Sequence, residues 1–247
     1  MGSDSVAASA AFILVAAVAG WLVGALLPRL IVWLPHRIEQ DWHAQCLQAV
    51  RSSIAEPIGS ASMAPAPDIA DPPVARHLVM LVTGVAFAVS AWRYGVTWQA
   101  LAAIVCLISL IALAWIDART CLLPDVLTLP LLWLGLLINV GDVFAPLSHA
   151  VIGAAGGYLL PWTVYHAHRV VTGKEGMGHG DFKLLAAAGA WVGFQALPFV
   201  IVGACVVGVI GGLVLRATGR ARAGQMLPFG PYIVMAFTVA LLQLPGA

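Results

Sequence analysis

The chain has 247 residues, of which 61% are hydrophobic and 9% are charged, and its mean hydropathy is +0.95. Soluble globular domains carry about 25% charged residues, so a water-soluble fold is excluded because too little polar surface exists to cover its outside. The formal net charge of +1 and the scattered basic residues give no indication of nucleic-acid binding. The four cysteines lie far apart and form no C-x-x-C pair. Three of them lie in or beside apolar stretches, which favours buried thiols over disulfides or metal ligands.

Seven apolar stretches predict transmembrane helices, because a bilayer core of about 30 Å needs about 20 apolar helical residues. In chain order they are 6–27, 77–93, 98–116, 122–141, 146–167, 184–215 and 228–245. As one helix, 184–215 would be about 48 Å long at about 1.5 Å per residue. We expect two short spans there, with a turn near Gln195–Pro198. The sequence therefore predicts an all-α, polytopic integral membrane protein with about eight transmembrane helices.

The basic residues predict how these helices are oriented. With eight spans and the N-terminus outside, eleven of the twelve basic residues lie on the cytoplasmic side, and Arg93 lies opposite. A single span for 184–215 would weaken this bias to eight against four, because Arg216, Arg220 and Arg222 would move outside. We therefore predict that both termini lie on the non-cytoplasmic side.

The chain divides into three regions by composition. Residues 1–35 are predicted to hold the first transmembrane helix, 36–75 a cytoplasmic polar and proline-rich segment, and 76–247 a membrane-embedded core. The prolines of the second half of 36–75 indicate an extended linker. Its first half, 38–54, is consistent with a short amphipathic helix near the membrane surface.

Three acidic residues stand at the ends of apolar stretches, where a carboxylate is costly. Asp125 precedes an apolar helix and is interpreted as its N-cap. Asp117 closes the third span, where the helix dipole disfavours negative charge. Pairing with Arg119 is the structural alternative, although residues two apart on a helix do not face each other. Asp181 follows the glycine-rich run 176–180, and an N-cap after a flexible loop is the structural alternative there.

The predicted topology brings Asp117 and Asp181 to one membrane face, because two helices lie between the third span and the sixth. Two carboxylates at one depth are what an aspartyl protease needs. Close like charges cannot both ionise at low cost, so the pair would hold one proton. The ionised member would take a proton from water, while the protonated member would donate to the peptide carbonyl. The titration belongs to the pair, so neither residue is assigned as the base.

Three runs resemble the signatures of the prepilin peptidases, the G-x-G-D membrane aspartyl proteases of type IV pilus and type II secretion systems. They are D-A-R-T-C-L-L-P-D-V-L-T-L-P at 117–130, G-M-G-H-G-D-F-K at 176–183 and Q-M-L-P-F-G-P-Y at 225–232. The resemblance covers about 100–245. It implies that Asp117 and Asp181 are catalytic and that Gly178 and Gly180 form the active-site loop. Lys183, two residues after Asp181, is counted with this loop and is expected either to orient the Asp181 carboxylate or to meet a lipid phosphate.

The resemblance also implies a substrate and a location. The substrate would be a type IV prepilin or type II secretion pseudopilin, cut after a glycine that ends its short basic leader. The cut would be made at the cytoplasmic face of the bacterial inner membrane. Proteolysis needs no cofactor, whereas many family members also methylate the new N-terminus with S-adenosylmethionine.

The N-terminal third departs from the family pattern. Family members carry a G-S-F-L-N-type stretch ending in R-L-P and then two C-x-x-C pairs that bind zinc. Here Pro28 takes the Asn position, Trp33 takes the Arg position, and Cys46 is the single cysteine of 36–75. A four-thiolate zinc site therefore cannot form, and no metal site is expected. A peptidase without methyltransferase activity stays an alternative, as does a small proton- or cation-coupled transporter that uses the same aspartates.

Overall fold

The structure is a computed structural model that describes residues 10–27, 73–173, 178–218 and 228–243. Its helices are α1 (Ala10–Leu27), α2 (Pro73–Tyr94), α3 (Trp98–Thr120), α4 (Asp125–Ile138), α5 (Leu147–Thr172), α6 (His179–Ala217) and α7 (Gly230–Gln243). No strand occurs in these ranges, which confirms the all-α prediction. By length and composition, α1, α2, α3 and α6 could each cross a membrane, and α4 and α7 are shorter apolar helices. The chain is a multi-pass membrane protein.

The helix boundaries differ from the predicted ones mainly where charged residues lie in a terminal turn. Asp117 and Arg119 belong to the last turns of α3, and Asp181 and Lys183 belong to the first turns of α6. Boundaries drawn at charges therefore made both helices too short. The α2 helix begins at Pro73, a residue type that suits a helix start because a first-turn N–H has no partner within the helix. The predicted 38–54 helix and Cys46 lie outside the described residues.

The long helix α6 is broken at Gly193, whose φ of 76° and ψ of 171° are not helical. Residues on both sides of this break nevertheless lie close to the start of α7. Asp181 interacts electrostatically with Asp117, Asp117 touches Gly230, and Gly208 lies against Phe229. A straight helix would separate positions 181 and 208 by about 40 Å. The α6 helix therefore folds back at Gly193, as the two-span prediction required, although the turn lies before Gln195–Pro198.

The break in α6 exposes backbone carbonyl groups that a continuous helix would satisfy. Asn139, in the 3₁₀ turn Asn139–Gly141 after α4, is fully buried and meets this need. Its Nδ2 donates to the carbonyl oxygens of Ala190 (2.8 Å) and Trp191 (3.0 Å). Its Oδ1 accepts from the N–H groups of Phe144 (2.9 Å) and Ala145 (3.1 Å). One side chain thus joins the α4–α5 connection to the end of the first arm of α6, residues 179–192.

The first arm of α6 forms the centre of the core. Trp191 is fully buried, and its indole N–H donates to the Leu131 carbonyl at 2.8 Å. The α5 helix approaches this arm through glycines, with Gly153 against the Gly189 backbone and Gly157 against the Leu185 backbone. A Cβ at either α5 glycine would collide with that backbone. These two glycines therefore permit the close packing of α5 against α6.

The remaining helices pack around this centre. The second arm of α6, residues 194–217, packs against α7, and α7 also contacts α3. The α1 helix approaches α2 through Gly20 and Gly24, where a Cβ would come within 2.7 Å of Thr83 and Met80. Arg93, at the end of α2, donates to the Leu242 carbonyl at the end of α7. That end of α7 lies away from Gly230 and therefore away from Asp117.

Candidate active site

Asp117 lies in the last turn of α3 and is 4% exposed. The helix ends at Thr120, and the left-handed Cys121 (φ 51°) returns its N–H to the Asp117 carbonyl at 2.8 Å. The Asp117 side chain accepts a hydrogen bond at Oδ2 from the backbone N–H of Gly230, also at 2.8 Å. The carboxylate is thus held between the end of α3 and the start of α7.

The contact with Gly230 explains how a carboxylate persists at a helix C-terminus. The dipole of α3 disfavours negative charge at that end, whereas the first residues of α7 present free N–H groups and the positive end of a second helix dipole. The predicted alternative was an interaction between Asp117 and Arg119. In the structure the Arg119 guanidinium lies over the Trp115 ring, 4.7 Å from its centroid.

Asp181 lies in the first turn of α6 and is 7% exposed. Its carboxylate accepts a hydrogen bond from the Gly178 backbone and lies within the electrostatic reach of Asp117. Its own N–H donates to the Gly178 carbonyl at 3.2 Å. The structure therefore brings together the two aspartates that the sequence pattern singled out, from helices that are distant in sequence.

Neither glycine that flanks His179 has a left-handed backbone, and a Cβ would be too close to a neighbour only at Gly180. Gly178 has an ordinary φ of −74°. A Cβ on it would lie 3.4 Å from Asp181 Oδ2. A Cβ on Gly180 would lie 2.8 Å from the Leu123 Cβ in the α3–α4 connection. Gly180 thus allows the start of α6 to approach the segment that follows Asp117.

The Lys183 side chain forms an ion pair with Asp125, in which Nζ lies 2.6 Å from Oδ1 and 2.7 Å from Oδ2. The expected carboxylate partner of Lys183 was Asp181, whereas the carboxylate that it contacts in the structure is that of Asp125. The interpretation of Asp125 as an N-cap is wrong. The cap of α4 is Pro124, which makes no side-chain bond, and Asp125 is the first helical residue. The ion pair instead ties the start of α4 to the start of α6.

The side chain of His179 packs in an aromatic cluster beside Asp181. Its ring centroid lies 5.1 Å from that of Tyr165 and 5.7 Å from that of Phe182. Tyr165 and Phe182 are buried and pack on each other at 5.7 Å. These contacts anchor the first turn of α6 to α5 and so fix the position of Asp181.

Sequence reasoning identified the run 225–232 as a signature but gave it no role. The structure shows that its Gly230 supplies the hydrogen bond to Asp117. A signal was present in the sequence, because a glycine between Phe229 and Pro231 at the start of an apolar helix offers an uncovered backbone N–H. Which acceptor it meets depends on the fold-back of α6 and could not be read from the sequence.

The fold and site together define a class. Two buried carboxylates from different helices meet at one end of an apolar helical bundle, the arrangement of a membrane-embedded aspartyl protease. Within the described ranges, no group of three or more histidine, cysteine or acidic side chains could hold a metal ion.

Comparisons with known proteins place the chain in a family. The model of the type IV leader peptidase family matches residues 104–213, which include Asp117 and Asp181. A prepilin leader peptidase/N-methyltransferase of Stutzerimonas stutzeri is 40% identical over 94% of this chain and 91% of its own length. That of Pseudomonas aeruginosa is 38% identical over 94% and 90%, and that of Xanthomonas campestris is 49% identical over 64% and 55%. No solved structure matches. The chain belongs to the type IV leader peptidase family, which confirms the resemblance.

Proposed function

We propose that this chain is an aspartyl endopeptidase of the bacterial inner membrane. Its substrates are type IV prepilins or type II secretion pseudopilins, from which it removes the basic leader at the cytoplasmic face. The observation that carries the proposal is the meeting of Asp117 and Asp181, both buried, at the ends of α3 and α6. Membership of the type IV leader peptidase family supports the substrate class.

The chemistry follows from the two carboxylates. One of them, ionised, accepts a proton from a water molecule as that water attacks the scissile carbonyl carbon, and the other donates a proton to the carbonyl oxygen. Collapse of the tetrahedral intermediate then breaks the C–N bond, and a proton returns to the leaving amine. The backbone donors of Gly230 and Gly178 hold the two side chains in place during these steps.

The cytoplasmic assignment of the site is supported by the charge distribution. Lys183, Arg119 and Arg216 belong to the helix ends near the aspartates or near the start of α7, whereas Arg93 lies at the far end of α7. Basic residues near span ends favour the cytoplasmic side. A substrate leader that is itself basic would then meet the aspartates on the side where it is synthesised.

The alternative of a proton- or cation-coupled transporter uses the same aspartates. Transporters tend to hold such groups near the membrane midplane on broken helices. Asp117 and Asp181 instead lie in terminal turns, and the break at Gly193 lies at the other end of the first arm. Both positions favour the peptidase. Proton flux into liposomes that is lost on Asp117→Asn would support the transporter.

Methylation of the new N-terminus is a second candidate activity. The Stutzerimonas stutzeri relative is named for both activities, and its similarity reaches into the N-terminal third because it covers 94% of this chain. Two cavities within the described ranges, of about 410 and 310 Å³, are lined almost wholly by apolar side chains. They do not fit S-adenosylmethionine, whose sulfonium, ribose and amino-acid groups need polar partners. We therefore derive no methyl-transfer step from the described residues.

Co-expression with a prepilin, followed by intact-mass analysis of the pilin, tests both activities. Wild-type protein should remove the leader, and Asp181→Ala should leave the precursor uncut while still inserting in the membrane. Asp142→Asn is the matched control, because Asp142 is an acid at the other end of α4 that bonds the Leu147 N–H. Normal processing by Asp181→Ala would overturn the proposal. A mature pilin heavier by one methylene group, only when this chain is present, would rule out the peptidase-only alternative.

A further inference from the structure

The start of α7 packs closely against the side chain of Asp117. The Gly230 N–H donates to Asp117 Oδ2 at 2.8 Å within buried surroundings. The three heavy atoms nearest to a Cβ built on Gly230 all belong to Asp117: Oδ2 at 2.7 Å, Cγ at 2.9 Å and Cβ at 3.1 Å. Contacts of 2.7 and 2.9 Å are shorter than a real Cβ makes. Any larger residue at position 230 therefore has to displace the Asp117 side chain or the start of α7.

The second arm of α6 holds the start of α7 in this position. A Cβ on Gly208 would lie 3.1 Å from the Phe229 ring and 3.3 Å from the Tyr232 ring. A Cβ on Gly211 would lie 2.6 Å from the Tyr232 hydroxyl oxygen. Phe229, just before Gly230, and Tyr232, two residues after it, thus pack on glycines of α6. This seating fixes the direction in which the Gly230 N–H points.

A backbone donor suits this task for a chemical reason. The N–H of Gly230 lies in the first turn of α7, so it has no acceptor within its own helix. Unlike a lysine or histidine partner, a backbone amide keeps the same protonation state on either side of neutral pH. It can therefore occupy Oδ2 throughout the reaction and leave Oδ1 of Asp117 for proton transfer.

We propose that Gly230 is a positioning residue of the peptidase, which holds Asp117 in its reactive orientation through the backbone amide and through the absence of a side chain. The proposal rests on the proposed function, since it assigns the third sequence signature to the same site. The run 225–232 would then affect the rate of the chemical step, measured as kcat, rather than substrate binding.

The first test compares Gly230→Ala with Gly203→Ala. Gly203 lies in the same α6–α7 interface, but its Cβ would meet the Ala236 Cβ at 3.3 Å, away from the aspartates. We expect Gly230→Ala to lower kcat for prepilin cleavage by about 10²-fold, because a misplacement of 1 Å at a catalytic group has an effect of that size. Its KM and the activity of Gly203→Ala should stay close to wild type. Wild-type kcat in Gly230→Ala, or an equal loss in Gly203→Ala, would overturn the proposal.

The second test uses stability, so that it does not depend on activity. Gly230→Ala should lower the Tm in detergent, because the added methyl group collides with Asp117. In an Asp117→Ala background the same substitution should change the Tm much less, since Oδ2 and Cγ are gone. Additive Tm changes would show that Gly230→Ala acts on α7 in general. If Asp117→Asn retained cleavage, the proposed function itself would fail, whereas loss of cleavage with additive Tm changes would refute only the role of Gly230.

Discussion

Two pairs of ionisable side chains lie at the same end of the helical bundle and differ in burial and in the charge of the partner. Asp117 and Asp181 are 4% and 7% exposed, and both are carboxyl groups. Asp125 pairs instead with a cation, Lys183, at 2.6 Å, and the two side chains are 54% and 30% exposed. Both pairs connect the first arm of α6 to the neighbouring end of α3 or α4.

The difference separates a functional arrangement from a structural one. Burying two neighbouring carboxyl groups raises the free energy of the folded state, because their charged forms lose hydration and repel each other. Such a pair is therefore retained where the chemistry needs it. An exposed ion pair is screened by solvent and contributes little to stability. Sequence position alone would not distinguish these cases, because Asp125 stands only eight residues after Asp117. The two pairs are distinguished by how deeply their side chains are buried and by whether the partner is an acid or a base.

The largest expected effect is the loss of cleavage on neutralising either buried aspartate. Asp117→Asn or Asp181→Asn should lower kcat/KM for prepilin by at least about 10³-fold, because each removes one of the two groups that transfer protons. Asp125→Asn should stay within a few-fold of wild type. The measurement is cleavage rate with purified protein in detergent or liposomes. Equal losses in all three variants would mean that the contrast between the pairs has no functional meaning.

Asn139→Ala is expected to have the opposite profile, a loss of stability without a loss of catalytic chemistry. The substitution leaves the carbonyls of Ala190 and Trp191 and the N–H groups of Phe144 and Ala145 without their partner. Each buried unsatisfied group costs about 1–3 kcal/mol, so we expect a loss of about 3 kcal/mol or more in the free energy of unfolding. Cleavage per folded molecule should stay near wild type. A folded but inactive Asn139→Ala would show that the α4–α5 connection takes part in the site.

A smaller loss of stability is expected from Gly193→Ala. With a φ of 76° and a ψ of 171°, Gly193 occupies a backbone region that is almost restricted to glycine, and a Cβ there costs about 1–3 kcal/mol. Gly95→Ala is the matched control, because Gly95 also has a positive φ (63°) but no neighbour within 4 Å of a built Cβ. Asp181 and Lys183 both lie on the first arm of α6, so Gly193→Ala should disturb the Asp117–Asp181 and Asp125–Lys183 contacts together. Unfolding in detergent measures the difference, and equal stabilities of the two variants would contradict the special role of the fold-back.

Much of this arrangement could be predicted from the sequence. The apolar stretches gave the helices, and the length of 184–215 required a turn, because it exceeds the bilayer thickness. The position of that turn at Gly193 was not predicted, since it depends on a backbone angle and on the cap that Asn139 provides. Asp117 and Asp181 stood out because charge is rare and both lie at helix ends on one face.

Contacts between distant segments were harder to predict. The partners of Asp125 and Gly230 are 58 and 113 residues away in sequence. The local sequence at Asp125 is as consistent with an N-cap as with an ion pair to a distant lysine. Nothing in the local sequence indicates which carboxylate lies opposite Gly230. Such contacts follow from the packing of α6 against α4 and α7, which composition and periodicity do not specify.

The smallest expected effect concerns the ion pair between Asp125 and Lys183. A double-mutant cycle with Asp125→Asn and Lys183→Met should give a coupling of about 0.2–1 kcal/mol in the free energy of unfolding, because both side chains are partly exposed. The coupling should fall as salt is added, since exposed charges are screened. The cycle is read from the four unfolding curves, and cleavage by the same proteins provides the control. A coupling well above 1 kcal/mol, or one that is insensitive to salt, would mean that lipid headgroups or other parts of this chain shield the ion pair from solvent. The Asp117–Asp181 and Asp125–Lys183 pairs would then differ only in the charge of the partner, and no longer in their exposure to solvent.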